Sequence, residues 1–240
     1  MKRYSILAAT VGAALAMLLT MVYIPSLLEK EIVKKPSVFK IIHMTKDGQP
    51  AGSGTAFATH DSYGNVVFIT NAHVCASKKK MWTWWRGQYY EHKVLKEKKD
   101  RDLCMLRAPH YATPLEVADE VVMGERVRAL GFPWGLFPNI SHGELKVEHD
   151  VTIPTDLPTK QCKEQGHRSI FTLFGPKCLM VIPMYATTTE GAPGNSGSPV
   201  LNEDGKIVGV ISVMNNRGPA WLSAIMLRDL KEFLKVKKHE

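Results

Sequence analysis

The stretch Gly191-Ala192-Pro193-Gly194-Asn195-Ser196-Gly197-Ser198-Pro199-Val200 sets a serine between glycines immediately ahead of an apolar strand. Glycine reaches backbone conformations that other residues avoid, so such a segment can turn tightly and bare the Ser196 hydroxyl. The same turn can aim backbone N–H groups at one point, and those of Gly194 and Ser196 are the candidates to hold a developing oxyanion. Taken alone, the stretch reads equally well as a glycine-rich hairpin loop with no chemistry. A serine hydroxyl is a poor nucleophile without a base beside it, so the rest of the chain has to supply one.

Val66-Val67-Phe68-Ile69-Thr70-Asn71-Ala72-His73-Val74-Cys75 supplies it: an apolar strand delivers a histidine at its end, where imidazole can sit at a rim. None of the other histidines has a comparable setting. Arg101-Asp102-Leu103-Cys104-Met105-Leu106 places a carboxylate immediately before a buried strand. A buried aspartate is costly unless paired, and orienting the His73 ring through its Nδ1–H is such a pairing. A lone histidine near a strand is usually structural, and a lone Asp before a strand means little. The order His, Asp, Ser gives the three their meaning.

Around these residues the chain reads as many short strands separated by turns, over 38–44, 55–59, 66–70, 103–106, 126–130, 145–153, 179–187, 199–201 and 207–213, with a hairpin pattern in 80–93. Only 226–236 has helical spacing, through Met226, Leu227, Leu230, Phe233 and Leu234. Residues 161–177 are polar and read as a long irregular surface loop. Trp82, Trp84, Trp85, Tyr89 and Tyr90 fit half-buried strand positions better than a binding platform. The expected class is all-β, a barrel or sandwich with one terminal helix.

Composition sets the outer limits. The 240 residues are 45% hydrophobic and 22% charged, ordinary values for a globular domain, with a formal net charge of +8. Much of the excess lies in lysine runs at 78–80, 96–99 and 235–238, which read as solvated faces. No zinc-finger spacing or basic heptad helix suggests nucleic acid, no Cys/His cluster suggests a metal, and no cofactor is expected. Met1-Lys2-Arg3 precedes an uncharged run from Tyr4 to Ile24. Twenty-one helical residues rise about 31 Å, close to the hydrocarbon thickness of a bilayer. Residues 1–29 are therefore expected to form an uncleaved N-terminal transmembrane helix rather than a cleaved signal, with residues 30–240 exported. A secreted or periplasmic form after cleavage is the alternative. Cys75, Cys104, Cys162 and Cys178 fit an oxidising compartment, and three pairings are open to them.

The domain resembles the trypsin-like serine peptidases, most closely their HtrA-type (Deg-like) bacterial branch. The matching segments are Gly52-Ser53-Gly54-Thr55-Ala56-Phe57, Ile69-Thr70-Asn71-Ala72-His73-Val74, Asp102-Leu103-Cys104-Met105-Leu106, Leu130-Gly131-Phe132-Pro133, Gly194-Asn195-Ser196-Gly197-Ser198-Pro199 and Gly205-Lys206-Ile207-Val208-Gly209-Val210. The resemblance implies a double six-stranded β-barrel over residues 30–240, a boundary near Leu115–Val121 and the site between the barrels. It makes His73 the general base, Asp102 its orienting carboxylate and Ser196 the nucleophile, acting on polypeptide through an acyl-enzyme. Glu190 corresponds to the floor of the primary pocket and suggests Lys or Arg before the scissile bond, while a solvent-exposed glutamate is the other reading. Ser212, Val213 and Met214 are expected to pair with extended substrate. Asn195 stands where digestive relatives have Asp, so activation by a freed N-terminus is not implied.

The chain ends soon after the terminal helix, so recognition through a C-terminal peptide-binding (PDZ) domain is not expected, and a homo-oligomer is left open. The Asp102–Ser196 spacing exceeds that expected of the family, with the extra residues around 141–177, where Cys162 and Cys178 are placed to staple a loop. Cys75 and Cys104 each follow a candidate catalytic residue by two positions, which fits either a bond or two buried thiols. Two further readings remain at this stage: a catalytically silent binding module, and a membrane protein whose exported domain only mediates assembly.

Overall fold

Alternating burial along Val38–Met44, with Ile41 fully enclosed and Lys40 and Ile42 less so, is the period-two pattern of a half-buried strand. This is β1, an inner strand of the first of two sheets. The computed structural model describes residues 37–76, 80–108, 112–155, 158–164, 167–172, 175–214 and 221–235. The expected anchor at residues 1–29 lies outside them, and among the described residues no helix is long and apolar enough to cross a membrane.

The first sheet adds β2 (Pro50–His60), β3 (Val66–Thr70), β4 (Lys80–Trp85), β5 (Gln88–Glu91), β6 (Val94–Lys98) and β7 (Leu103–Arg107), in the order β5-β4-β1-β2-β3-β7-β6. The second comprises β8 (Arg126–Gly131), β9 (Asn139–Thr155), β10 (Arg168–Thr172), β11 (Gly175–Thr187), β12 (Pro199–Leu201), β13 (Ile207–Met214) and β14 (Leu222–Met226), in the order β10-β11-β14-β13-β12-β8-β9. Since β9 also pairs with β11, six of these strands close into a ring and β10 hangs on its edge. Each sheet thus has seven strands where six were expected. The fold is all-β, with a short C-terminal helix, Leu227–Leu234.

That helix lays Leu227, Leu230, Phe233 and Leu234 inward. Leu230, Phe233 and Leu234 join a core that draws Phe57, Ile69, Leu103 and Met105 from the first sheet and Ile182, Met184, Ile207 and Ile225 from the second. The segment between the sheets touches both, through bridges from Leu115 to Thr59 and from Val117 to Ile207.

The described residues of 161–177 are more ordered than their polarity suggests. They hold the end of a short helix, Thr159–Glu164, and strand β10, whose backbone pairs with β11 from Arg168↔Leu179 to Thr172↔Gly175. An edge strand is held by its backbone and needs little hydrophobic alternation, which hides it in the sequence. The Cys162–Cys178 disulfide ties that helix to β11, and Cys75–Cys104 is also formed.

Candidate active site

β3 ends at Thr70, and His73 follows on a one-turn helix, Ala72–Cys75, rather than on the strand itself. Asp102 closes a 3₁₀ turn, Lys99–Arg101, with φ +51° and ψ +40°, and leads directly into β7. This left-handed conformation costs most residues about 1–2 kcal/mol, and aspartate is among those that tolerate it. Asn71 Nδ2 donates to the Asp102 carbonyl at 3.1 Å, and the Cys75–Cys104 disulfide joins the two segments two residues beyond His73 and Asp102.

The Asp102 carboxylate is buried, with its side chain 4% exposed, and it accepts from three donors. These are the His73 backbone N–H at 3.0 Å, His73 Nδ1–H at 2.9 Å, and the Ser212 hydroxyl. A buried carboxylate whose oxygens are so satisfied fixes the ring. Because a carboxylate only accepts, the proton sits on Nδ1, and Nε2 is left as an acceptor on a side chain 49% exposed.

His73, Asp102, Ser196 and Ser212 line one cavity of about 710 Å³. In this structure the Ser196 hydroxyl donates to the Ser212 carbonyl at 3.3 Å. Among the described residues no hydrogen bond joins it to His73 Nε2.

The loop around Ser196 is clamped from the first sheet. Thr55 N–H donates to Ser196 O and its hydroxyl to Gly194 O, both at 2.8 Å. Pro193 O accepts from the Trp134 N–H, and Asn195 O accepts from Ser198 N–H at 2.9 Å. In a trans peptide the C=O and N–H point opposite ways, so fixing the carbonyls of Pro193 and Asn195 aims the N–H groups of Gly194 and Ser196 away from those partners. Neither N–H has an acceptor among the described residues, whereas Asn195, Gly197 and Ser198 all spend theirs. Gly194, at φ +102°, admits no side chain: a Cβ there lies 2.4 Å from Phe132 O.

Val213 lines the cavity beside Ser212 on β13, and Met214 ends that strand opposite Leu222. Glu190 does not line the cavity. It is exposed, with its N–H bonded to Ser141 Oγ at 2.7 Å. The carboxylate floor is therefore corrected to an apolar wall of Ala192, Pro193, Ile211 and Leu222. Leu222 fills that corner so closely that a Cβ on Gly191 falls 2.5 Å from it. Sequence reasoning missed the Ser212–Asp102 bond, the Thr55 clamp and the Trp134 latch. Thr55 and Pro133 stand in the quoted motifs, yet each of these bonds joins segments far apart in the chain, and no local pattern names the partner.

The fold is that of a trypsin-like peptidase. Residues 52–210 match the family model of the trypsin-like peptidase domain, and the chain belongs to that family. Protease Do-like 1, chloroplastic, of Arabidopsis thaliana is 28% identical over 167 residues, 67% of this chain and 33% of that protein. The chain thus spans about a third of that relative's length. Among solved structures, the Rv3671c protease from M. tuberculosis in its active form gives a TM-score of 0.65 at 21% identity, covering 90% of this chain and 89% of that one. The serine endoprotease from Yersinia pestis gives 0.60 at 15% identity, covering 82% and 61%. At these identities the structural likeness is one of fold.

Proposed function

We propose that the protein is a serine endopeptidase that cleaves exported or unfolded polypeptides by way of an acyl-enzyme, with His73, Asp102 and Ser196 as its triad and residues 1–29 as a membrane anchor. The observation that carries this reading is the His73 ring held by Asp102 in one cavity with Ser196, beside two unspent backbone N–H groups. Rotation about the Ser196 Cα–Cβ bond exchanges the Ser212 carbonyl for His73 Nε2. Nε2 takes the hydroxyl proton as Oγ bonds to the scissile carbonyl carbon. The N–H groups of Gly194 and Ser196 receive the oxyanion. Collapse breaks the C–N bond, and the amine leaves with the proton from His73. Water then repeats the sequence, releasing the acid and restoring Oγ–H. The apolar pocket wall favours an uncharged side chain on the residue that supplies the scissile carbonyl. The two disulfides favour a compartment outside the cytoplasm.

The Ser196–Ser212 hydrogen bond favours a second reading, a silent binding module in which the hydroxyl never reaches His73. Fluorophosphonate labelling separates them. The peptidase is labelled at Ser196 and cleaves unfolded casein, and Ser196→Ala does neither. A folded wild type that takes no label supports the module.

A further inference from the structure

The β9–β11 ladder outruns the barrel that contains it. β8 pairs with β9 only over Asn139–Glu144, and β14 pairs with β11 only over Met184–Thr187. Beyond His149↔Met184 the ladder continues through Ile182↔Val151 and Met180↔Ile153 to Cys178↔Thr155, without either neighbour. The far part is a two-stranded arm, edged by β10 and pinned through Cys178 to Cys162 on the helix Thr159–Glu164.

Directly opposed residues of an antiparallel pair share a face, and so do alternate residues along a strand. One face of the arm therefore carries Met180, Ile182, Val151 and Ile153. Ile182 is fully buried and Met180 nearly so. Val151 and Ile153 pack beside them against the core shared by the two sheets. The opposed pair Met180 and Ile153 reaches the catalytic cavity, which it lines together with His73, Lys99 and Ser196. A spacer would need no apolar face at that point, and this one is built into the wall of the cleft.

We propose that Ile153 and Met180 form an apolar subsite for a large aliphatic side chain on the residue just before the one that supplies the scissile carbonyl. This rests on the peptidase reading above. Substrate lying along Ser212–Met214 as an extended strand alternates its side chains. If the first side chain enters the part of the cavity walled by Ala192, Pro193, Ile211 and Leu222, the next points away from that wall, and His73, Lys99 and the arm line the same cavity. The partner is thus a polypeptide with leucine, isoleucine or methionine at that second position. The arm, which lies in the stretch that lengthens the Asp102–Ser196 spacing, is the part of this chain that selects it.

The test compares kcat/KM of the full, disulfide-intact chain for two fluorogenic peptides that differ only at that position, leucine against glycine. Hydrophobic discrimination of this kind amounts to about 10–200-fold. The expected result is a leucine preference of about tenfold or more, reduced to within about threefold in Ile153→Asn and kept in Ile153→Leu. Fluorophosphonate labelling runs beside it, because the probe has no side chain for the subsite. Undiminished labelling of Ile153→Asn shows that the triad and fold survive the substitution. Wild type that takes label but does not distinguish the peptides overturns the subsite, whatever the variants do. A preference that persists in a labelled Ile153→Asn overturns it as well. Absence of label in wild type sinks the peptidase reading instead.

Discussion

At residue scale, three donors converge on the Asp102 carboxylate, and two of them come from His73 itself, so this aspartate sets both the ring and the turn that bears it. Asp102→Asn presents an amide that can favour the wrong imidazole tautomer, and a loss of about 10⁴-fold in kcat is expected with the fold intact. Steady-state rates alongside circular dichroism check both halves. Gly194→Ala forces a Cβ against Phe132 O at a positive φ and displaces one oxyanion donor. Peptidase activity is expected to fall by about 10²–10³-fold. His92 titrates away from the site. Its Nδ1–H donates to the Arg107 carbonyl, its Nε2 accepts from Thr83, and burial holds the imidazole below its ordinary value of 6.5. Above that value both folded and unfolded chains carry it neutral. As pH falls below it, the unfolded chain binds a proton that the folded chain refuses, so stability drops from there down through the folded value. Urea unfolding at several pH values should show this slope, and His92→Gln should flatten it.

At the scale of elements, the second disulfide closes a loop of 16 residues, for which chain-entropy arguments give about 3 kcal/mol. Replacing Cys162 and Cys178 by serine is expected to lower unfolding stability by that order, measured in denaturant; an unchanged midpoint would mean that the arm holds without its staple. This arm also marks how far the sequence could be read. The apolar runs at 66–70, 103–106 and 207–213 announce their strands because both faces are enclosed. The triad candidates stand out because glycine, histidine and aspartate occur beside those runs. β6 and β10 were invisible: Val94–Lys98 is charged and largely exposed, and Arg168–Thr172 is held by backbone pairing with β11. Glu190 misled for a related reason. Counting back from Ser196 gives a position along the chain, whereas the pocket wall is decided by Leu222, which comes from another strand and packs against Gly191. No local pattern carries that contact.

At the scale of the whole molecule, the two sheets meet through a shared core, and the proposed triad draws on both. His73 and Asp102 lie in connections of the first sheet, Ser196 in the connection between β11 and β12 of the second, and Ser212 on β13. Thr55 of β2 holds the Ser196 loop by two hydrogen bonds, so loosening one sheet against the other is expected to displace the proposed oxyanion donors. The uncharged run from Tyr4 to Ile24 argues for a tether. The full chain is therefore expected to stay with membranes through alkaline carbonate extraction, while residues 30–240 alone are released; release of the full chain would remove the anchor from the account. The central claim is that Ser196 is a nucleophile activated by His73, and covalent fluorophosphonate labelling of the full, disulfide-intact chain tests it most directly. Wild type is expected to take the label and cleave casein, and Ser196→Ala to do neither. Label and cleavage that persist in Ser196→Ala, or a folded wild type that takes no label, would contradict it.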